Sequence, residues 1–391
     1  MGVLAVEKPA FMAEEDIAIF EDAVGKFFDE HAPEAVVATW RKNHVVDREM
    51  WNTAGRAGLL GLTVPEEYGG AGGDYRHEAV LMEQLGLKGV DGFGISLHNA
   101  IVAPYIVHYG TEEQKRRWLP RLCTGELVGA IAMTEPGAGS DLQGVKTTAK
   151  PAGNQYVING SKTFITNGQT ANLIIVVAKT DPSAGARGTS LLVVETDGEN
   201  GPIGGFERGR NLDKLGHEAQ DTSELFFNDV KVPTENLLGT EEGQGFFQLM
   251  SQLPQERLNI AVQGMATIER ALELTIDYVK QRQAFGKAII DFQNTQFVLA
   301  ECKTEATVAK VFVNHCIEQH LAGKLDAATA SMAKYWVSDL ENKIVDRCLQ
   351  LFGGYGFMNE YPIARMYRDS RVQRIYGGTN EIMKLLIART L

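Results

Sequence analysis

Met133-Thr134-Glu135-Pro136-Gly137-Ala138-Gly139-Ser140-Asp141 follows directly on the apolar run at 128–132, so a strand is expected to run into an open, donor-rich turn. Gly137 and Gly139 remove side-chain bulk and let a ligand approach the backbone closely, while Thr134 and Ser140 offer hydroxyls to polar ligand atoms. Taken alone, the same residues fit a Pro-Gly surface turn with Ser140 or Asp141 capping the next element. The rest of the chain decides between the two.

Upstream of this stretch the signals are helical. Ile17, Phe20, Val24, Phe27 and Phe28 recur at helical spacing, and similar patterns follow at 78–87 and 111–122, where Thr111 with Glu112 and Glu113 marks a capped start. A Gly-rich loop at 65–73 interrupts them. Between about 130 and 239 the period changes. Short runs at 155–158, 173–178, 190–194 and 223–227 are rich in β-branched and aromatic residues, and Gly153-Asn154, Asn159-Gly160 and Asn167-Gly168 read as turns joining strands. Long helical patterns return beyond 244, at 270–281, 296–316 and 325–351. The expected class is α+β in three domains: helical 1–129, β 130–239, helical 240–391.

The chain of 391 residues is long enough for more than one core, with 44% hydrophobic residues to fill them. A net charge of -12 argues against a nucleic-acid or anionic-membrane surface, so no nucleic-acid partner is expected. Cys123, Cys302, Cys316 and Cys348 lack paired spacing and read as buried thiols of a reducing compartment. Glu7, Glu14, Glu15 and Asp16 replace the basic start of a secretory signal, and no long apolar span occurs, so no membrane insertion is expected. The expected location is the bacterial cytoplasm or, second, an organelle matrix.

Several chemistries fall away. Leu142 stands where a dinucleotide-binding turn beginning at Gly137 needs its third small residue. The eight histidines form no His-x-His or His-Glu-x-x-His pair, and neither a Gly-x-Ser-x-Gly elbow nor a phosphate loop is found, so no metal site is expected. What remains is a series of segments: MTEPGAGSD at 133–141, FITNG at 164–168, RQAFGK at 282–287, QLFGGYGF at 350–357, EYPIARMYRD at 360–369 and IYGGTNEIM at 375–383. In order and spacing this series resembles the acyl-CoA dehydrogenase family and spans nearly the whole chain.

That resemblance implies an N-terminal helical domain, a middle β-barrel-like domain and a C-terminal four-helix bundle that assembles a homotetramer, a dimer of dimers. It implies FAD as cofactor. Ile131, Met133, Thr134, Gly139, Ser140, Phe164 and Thr166 would lie on its flavin side, Phe164 otherwise being a core residue of an alternating strand. Arg282, Phe285, Phe292, Gln293, Gln350, Gly353 and Gly354 would reach the FAD of a neighbouring subunit, and Thr379, Asn380 and Glu381 would close over its phosphates. Arg282 fits best physically, because a guanidinium fork pairs a pyrophosphate with two charge-assisted bonds.

Desaturation between Cα and Cβ needs a carboxylate base. Most of the family carries a Glu directly before the Gly-Thr of the last motif, but here that position is Gly377. A minority, including the long-chain and isovaleryl types, carries it on the first long helix of the C-terminal domain, where this chain has Leu253-Pro254-Gln255-Glu256-Arg257-Leu258. Glu256 is therefore the expected base, with Gly377 leaving room for it to reach the substrate from the opposite wall. Following Pro254, Glu256 reads as a first-turn residue, where the helix dipole favours its charge and burial against an acyl chain opposes it; burial is expected to win. The Gly377 N–H would serve the oxyanion hole, and Ser140, Arg257, Tyr376, Gly377 and Gly378 would meet the acyl-CoA. The expected activity is dehydrogenation of a medium-to-long-chain acyl-CoA to the trans-2-enoyl-CoA, electrons passing to an electron-transferring flavoprotein. A branched-chain dehydrogenase, a same-fold oxidase using O2 and a non-catalytic acyl-CoA-binding protein are the rivals. Gly92, Gly94 and Ser96 suit either a deep acyl tunnel or close packing of backbone.

Overall fold

The computed structural model describes every residue except Met1, Ala5, Asp91, Glu199 and Asn200. Helices α1 (Glu15–His31), α2 (Glu34–Asn43), α3 (Arg48–Arg56), α4 (Tyr75–Lys88), α5 (Ile95–Leu97), α6 (Ala103–Tyr109) and α7 (Glu112–Cys123) build the N-terminal domain. Ile17, Val24, Phe27 and Phe28 are the buried face of α1, as their spacing requires. The Thr111 hydroxyl accepts from the Gln114 N–H at 3.3 Å while the Gln114 side chain returns to the Thr111 N–H at 3.0 Å, a reciprocal cap that sets where α7 begins. Between α5 and α6 the backbone widens into a π-turn at His98–Val102. Such turns occur often at functional sites, and this one faces the middle of the molecule.

The middle domain is a seven-stranded sheet of β1 (Gly129–Ala132), β2 (Thr148–Ala152), β3 (Gln155–Thr166), β4 (Leu173–Lys179), β5 (Thr189–Glu195), β8 (Phe206–Asn211) and β9 (Thr222–Pro233), with the short pair β6 (Asp197–Gly198) and β7 (Gly201–Pro202) apart from it. The path runs β1-β4-β2-β3-β9-β8, with β5 on the other side of β4. It ends on open edges, so the barrel-like expectation is met by a half-barrel. The β4 strand is buried at every position, flanked by β1 in parallel and β5 antiparallel.

One turn expectation fails. Asn159-Gly160 lies inside the twelve-residue β3, at a register shift against β9 between Ile158 and Gly160. A Cβ at Gly160 would stand 2.3 Å from Thr147 Oγ1, so glycine here serves a close approach inside a bulge and not a hairpin.

The C-terminal domain contains α8 (Gly245–Gln281), the small hairpin β10 (Gln283–Ala284) and β11 (Lys287–Ala288), α9 (Gln293–Leu321), α10 (Ala327–Leu351), α11 (Pro362–Asp369) and α12 (Asn380–Ala388). Three helices are long and α12, packed on α10, is the short fourth. Leu249, Leu253, Ile260, Met265, Ile268, Leu272 and Val279 keep one face of α8 buried along its length. The helix starts nine residues before Pro254, which therefore sits in its interior. Glu256 is thus not a first-turn residue, and the dipole expected to favour its charge has faded at that depth.

Candidate functional site

The turn that opened the sequence reading is built on a buried ion pair. Glu135 N–H and Ala138 N–H each donate to the other residue's carbonyl, at 2.9 and 3.1 Å, closing Pro136-Gly137 into a tight loop. The Glu135 carboxylate accepts the Lys146 and Thr147 N–H groups at 2.7 and 2.9 Å and the Lys162 ammonium at 2.9 Å. Lys162 donates also to the Met133 carbonyl at 3.0 Å, and Thr163 N–H to the Thr134 carbonyl at 3.0 Å. Burial pushes Lys162 down to about 8; for Glu135 burial works upward, but Lys162 and the N–H donors hold the carboxyl below its usual value. Neither Glu135 nor Lys162 was picked out from sequence, although a carboxylate inside a Gly-rich turn is a signal that the loop needs an internal anchor.

On this frame Ile131, Met133, Thr134, Phe164 and Thr166 gather at one end of the sheet, with Gly139 and Ser140 exposed on the turn beside them. A Cβ at Gly137 or Gly139 would meet nothing within 4 Å, so the turn is open. Phe164 is not the core residue an alternating strand suggests. It sits at a register shift of β3 with φ 59° and is 67% exposed, its ring turned outward by the bulge. The hydroxyls of Thr134 and Thr166 make no hydrogen bond among the described residues.

The π-turn ties this strand end to the N-terminal domain. Gly129 N–H donates to His98 Nδ1 at 3.0 Å, so the proton is on Nε2, which donates to the Leu122 carbonyl at 3.2 Å. Asn167 reaches the carbonyls of Gly94 and Gly129 at 3.3 and 3.1 Å. A Cβ at Gly94 would fall 2.0 Å from Asn167 Oδ1, and one at Gly92 2.4 Å from Ala219 Cβ. Both glycines therefore permit close packing of the domains.

Glu256 lies across the π-turn on α8 and is 6% exposed. Tyr105 Oη donates to Glu256 Oε1 at 2.9 Å. Burial raises the Glu256 carboxyl to about 7, against the opposing pull of the Tyr105 hydrogen bond and of the Arg257 guanidinium. Gln255 and Asn259 fasten α8 to the Ala100 carbonyl at 2.9 and 3.3 Å, and Gln263 Nε2 donates to Ser96 Oγ at 2.8 Å. Tyr105 was missed from sequence; in a run of apolar residues a tyrosine gives no hint of where its hydroxyl will point. With Phe at this position the carboxylate loses a donor and its pKa rises further. Tyr105→Phe is expected to move the titration of the Glu256 carboxyl about one pH unit to the alkaline side, followed in its infrared carboxyl band between pH 6 and 9.

Gly377 has φ 64°, and a Cβ there would meet Ile260 Cδ1 at 2.4 Å. Its missing side chain makes room for Ile260, one turn beyond Glu256 on α8, and no atom of Glu256 lies within 4 Å of that position. Tyr376 is 36% exposed beside it. Arg257 is 5% exposed; Nη1 reaches Ser331 Oγ at 3.5 Å while Nε has no partner among the described residues. Thr379 caps α12, accepting from Ile382 N–H at 3.4 Å, and Glu381 is exposed. The Asn380 side chain turns inward, 1% exposed, and is spent on Lys334, Tyr335 and Asp339.

The remaining candidates form a separate surface. The Phe285-Gly286 tip of the β10–β11 hairpin has φ 52° and 81°, which turns a two-residue loop and leaves Phe285 96% exposed. Arg282 lies over the Tyr355 ring at 5.7 Å, and Phe292 lies 6.2 Å from Phe285. Gln293, Gln350, Gly353 and Gly354 are all exposed. From Glu256 to Arg282 α8 runs about seven turns, roughly 40 Å, so the two residues lie far apart in one chain.

Three family profiles, described as the N-terminal, middle and C-terminal domains of acyl-CoA dehydrogenase, match residues 14–126, 130–230 and 243–391. The chain belongs to the acyl-CoA dehydrogenase family. It is 51% identical over 387 residues to the mitochondrial long-chain specific acyl-CoA dehydrogenase of Mus musculus, covering 97% of this chain and 87% of that one. An acyl-CoA dehydrogenase of Bacillus subtilis is 41% identical over 338 residues, 86% of this chain and 88% of its own. The crystal structure of acyl-CoA dehydrogenase from Geobacillus kaustophilus superposes with a TM-score of 0.94 at 49% identity, covering 98% of this chain and 99% of that one. This is an enzyme of a flavin-dependent acyl-CoA dehydrogenase family, an oxidoreductase of fatty-acid metabolism. Among the described residues no helix is long and apolar enough to cross a membrane, and no cluster of metal-ligating side chains occurs.

Proposed function

We propose that this chain dehydrogenates a medium-to-long-chain acyl-CoA to the trans-2-enoyl-CoA with FAD as cofactor, Glu256 taking the α-proton. The observation that carries the reading is a buried carboxyl held near neutrality by burial and aimed by Tyr105. A base with a pKa close to the working pH combines a useful ionised fraction with a useful proton affinity. FAD, when bound, supplies a two-electron acceptor for the hydrogen leaving Cβ. The residues fit it: an open glycine turn, two free threonine hydroxyls, an outward aromatic at Phe164, and an arginine fork at Arg282. Gly377 offers its N–H to the thioester oxygen as negative charge develops there, and Ser140, Arg257, Tyr376 and Gly378 line the approach of the acyl-CoA.

The length of α8 supports an oligomer. Arg282, Phe285, Phe292, Gln293, Gln350, Gly353 and Gly354 stand too far from Glu256 to share its cofactor, so they serve the FAD of a second subunit, with Thr379, Asn380 through its backbone, and Glu381 over the phosphates. A dimer completes each site, and a dimer of dimers is the proposed assembly. Electrons pass on to an electron-transferring flavoprotein. A buried, aimed base argues against a merely acyl-CoA-binding protein.

The test is the visible spectrum of the purified protein, recorded anaerobically against acyl-CoA thioesters of increasing length. Flavin bands that bleach support the reading, and the fastest thioester names the chain length. Bands that shift without bleaching, or a protein that cannot be loaded with FAD, overturn it.

A further inference from the structure

The segment 376–380 crosses from the 3-10 turn Ser370–Arg374 to α12 through two consecutive glycines with positive φ, 64° and 95° at Gly377 and Gly378. Backbone of this kind has no side chain to hold it and surrenders much freedom on ordering. Helix α10 holds it. Lys334, in the interior of that helix and 0% exposed, donates from Nζ to the Gly378 carbonyl at 2.7 Å and to Asn380 Oδ1 at 2.9 Å. Asn380 Nδ2 donates back to the Tyr335 carbonyl at 3.2 Å and to Asp339 Oδ1 at 2.9 Å. A single buried ammonium thus joins the end of the glycine pair to the first residue of α12.

Stability alone is a poor reason for such a group. Both acceptors of Nζ are neutral, and a buried cation without a carboxylate on it is costly to desolvate, whereas an apolar chain of similar volume often does as well or better. Burial pushes Lys334 down to about 7, and the Arg257 guanidinium works in the same direction, against the more distant Asp339 and Glu381 carboxylates, neither of which bonds to Nζ. Arg257 reaches Ser331, one turn before Lys334 on α10, so the two cations come close where α8 meets α10.

We infer that Lys334 is a positioning residue for the oxyanion donor: by gripping the Gly378 carbonyl it anchors the C-terminal end of the glycine pair and so narrows the range of positions open to the Gly377 N–H, two peptide units upstream. The inference rests on the proposed role of that N–H. A donor displaced by about 1 Å forfeits on the order of 100-fold in rate.

Lys334→Met and Lys334→Gln are made in the FAD-loaded enzyme, with wild type and Glu256→Gln alongside. In Lys334→Met, anaerobic bleaching by acyl-CoA is expected to slow by about 100-fold. Affinity for the enoyl-CoA product and thermal stability stay near wild type, because the donor matters most when charge develops. Lys334→Gln, which keeps N–H donors without the charge, recovers part of the rate, and supplies the reading if the Met variant does not fold. Wild-type bleaching in Lys334→Met overturns the inference, as does a loss in both variants that tracks lost FAD or lowered melting temperature. If wild type bleaches and Glu256→Gln does not while Lys334→Met does, only the positioning role fails. If wild type does not bleach, the dehydrogenase reading fails with it.

Discussion

Glu256→Gln is expected to bind FAD and acyl-CoA as wild type does and to reduce its flavin about 10²- to 10⁴-fold more slowly, the range a positioned general base supplies. Glutamine has the same shape and still accepts from Tyr105 Oη, so the packing around a residue 6% exposed is kept. What disappears is the ionised form. Because burial raises this carboxyl to about 7, the folded protein holds its proton where the unfolded chain has released it, and the stability linked to Glu256 is lost as pH rises through about 7. The glutamine variant lacks that loss, so relative to wild type it should melt higher at pH 8.5 than at pH 5.5. Unimpaired bleaching in the variant would remove Glu256 from the mechanism.

The second large effect belongs to the ion pair under the glycine turn. Lys162→Met leaves the Glu135 carboxylate buried with its cation gone, which by analogy with other buried pairs costs about 3–5 kcal/mol. The turn carrying Thr134 and Ser140 loses its anchor, so FAD retention falls together with thermal stability. The loss relative to wild type deepens as pH rises from 6 towards about 8, since an unpaired buried carboxyl escapes its cost only by taking up a proton, and levels off above that, where Lys162 in wild type gives up its own charge. Lys162→Met combined with Glu135→Gln should recover most of the stability, because glutamine removes the charge and still accepts from the Lys146 or Thr147 N–H. Melting curves and flavin content across pH 6–9 check this; a single variant as stable as wild type would show that the pair does not hold the turn.

Periodicity made the helix–sheet–helix order of the chain legible, because the 3.6-residue and two-residue patterns change cleanly near residues 130 and 240. Boundaries were harder. A proline normally marks a helix start or break, and Pro254 does neither, because the apolar face of α8 runs through it and tertiary packing overrides the local rule. Asn-Gly at 159–160 carries a hairpin signature, yet the pairing of β3 with β9 continues past it. The glutamate on α8 could be picked out because a glycine stands where most of the family has its base. Tyr105, Lys162 and Lys334 could not. Each acts through a partner 27 to 151 positions away in the chain, and such pairing leaves no periodic trace in one sequence.

The length of α8 has a consequence for inheritance. If the base near one end serves its own subunit and the arginine at the other end serves a neighbour's cofactor, each catalytic centre is assembled from two copies of the chain. A chain defective at Glu256 and a chain defective at Arg282 would each be inactive alone. Paired in one hybrid, they would place both lesions in one centre and leave the other intact, so two null alleles could complement each other.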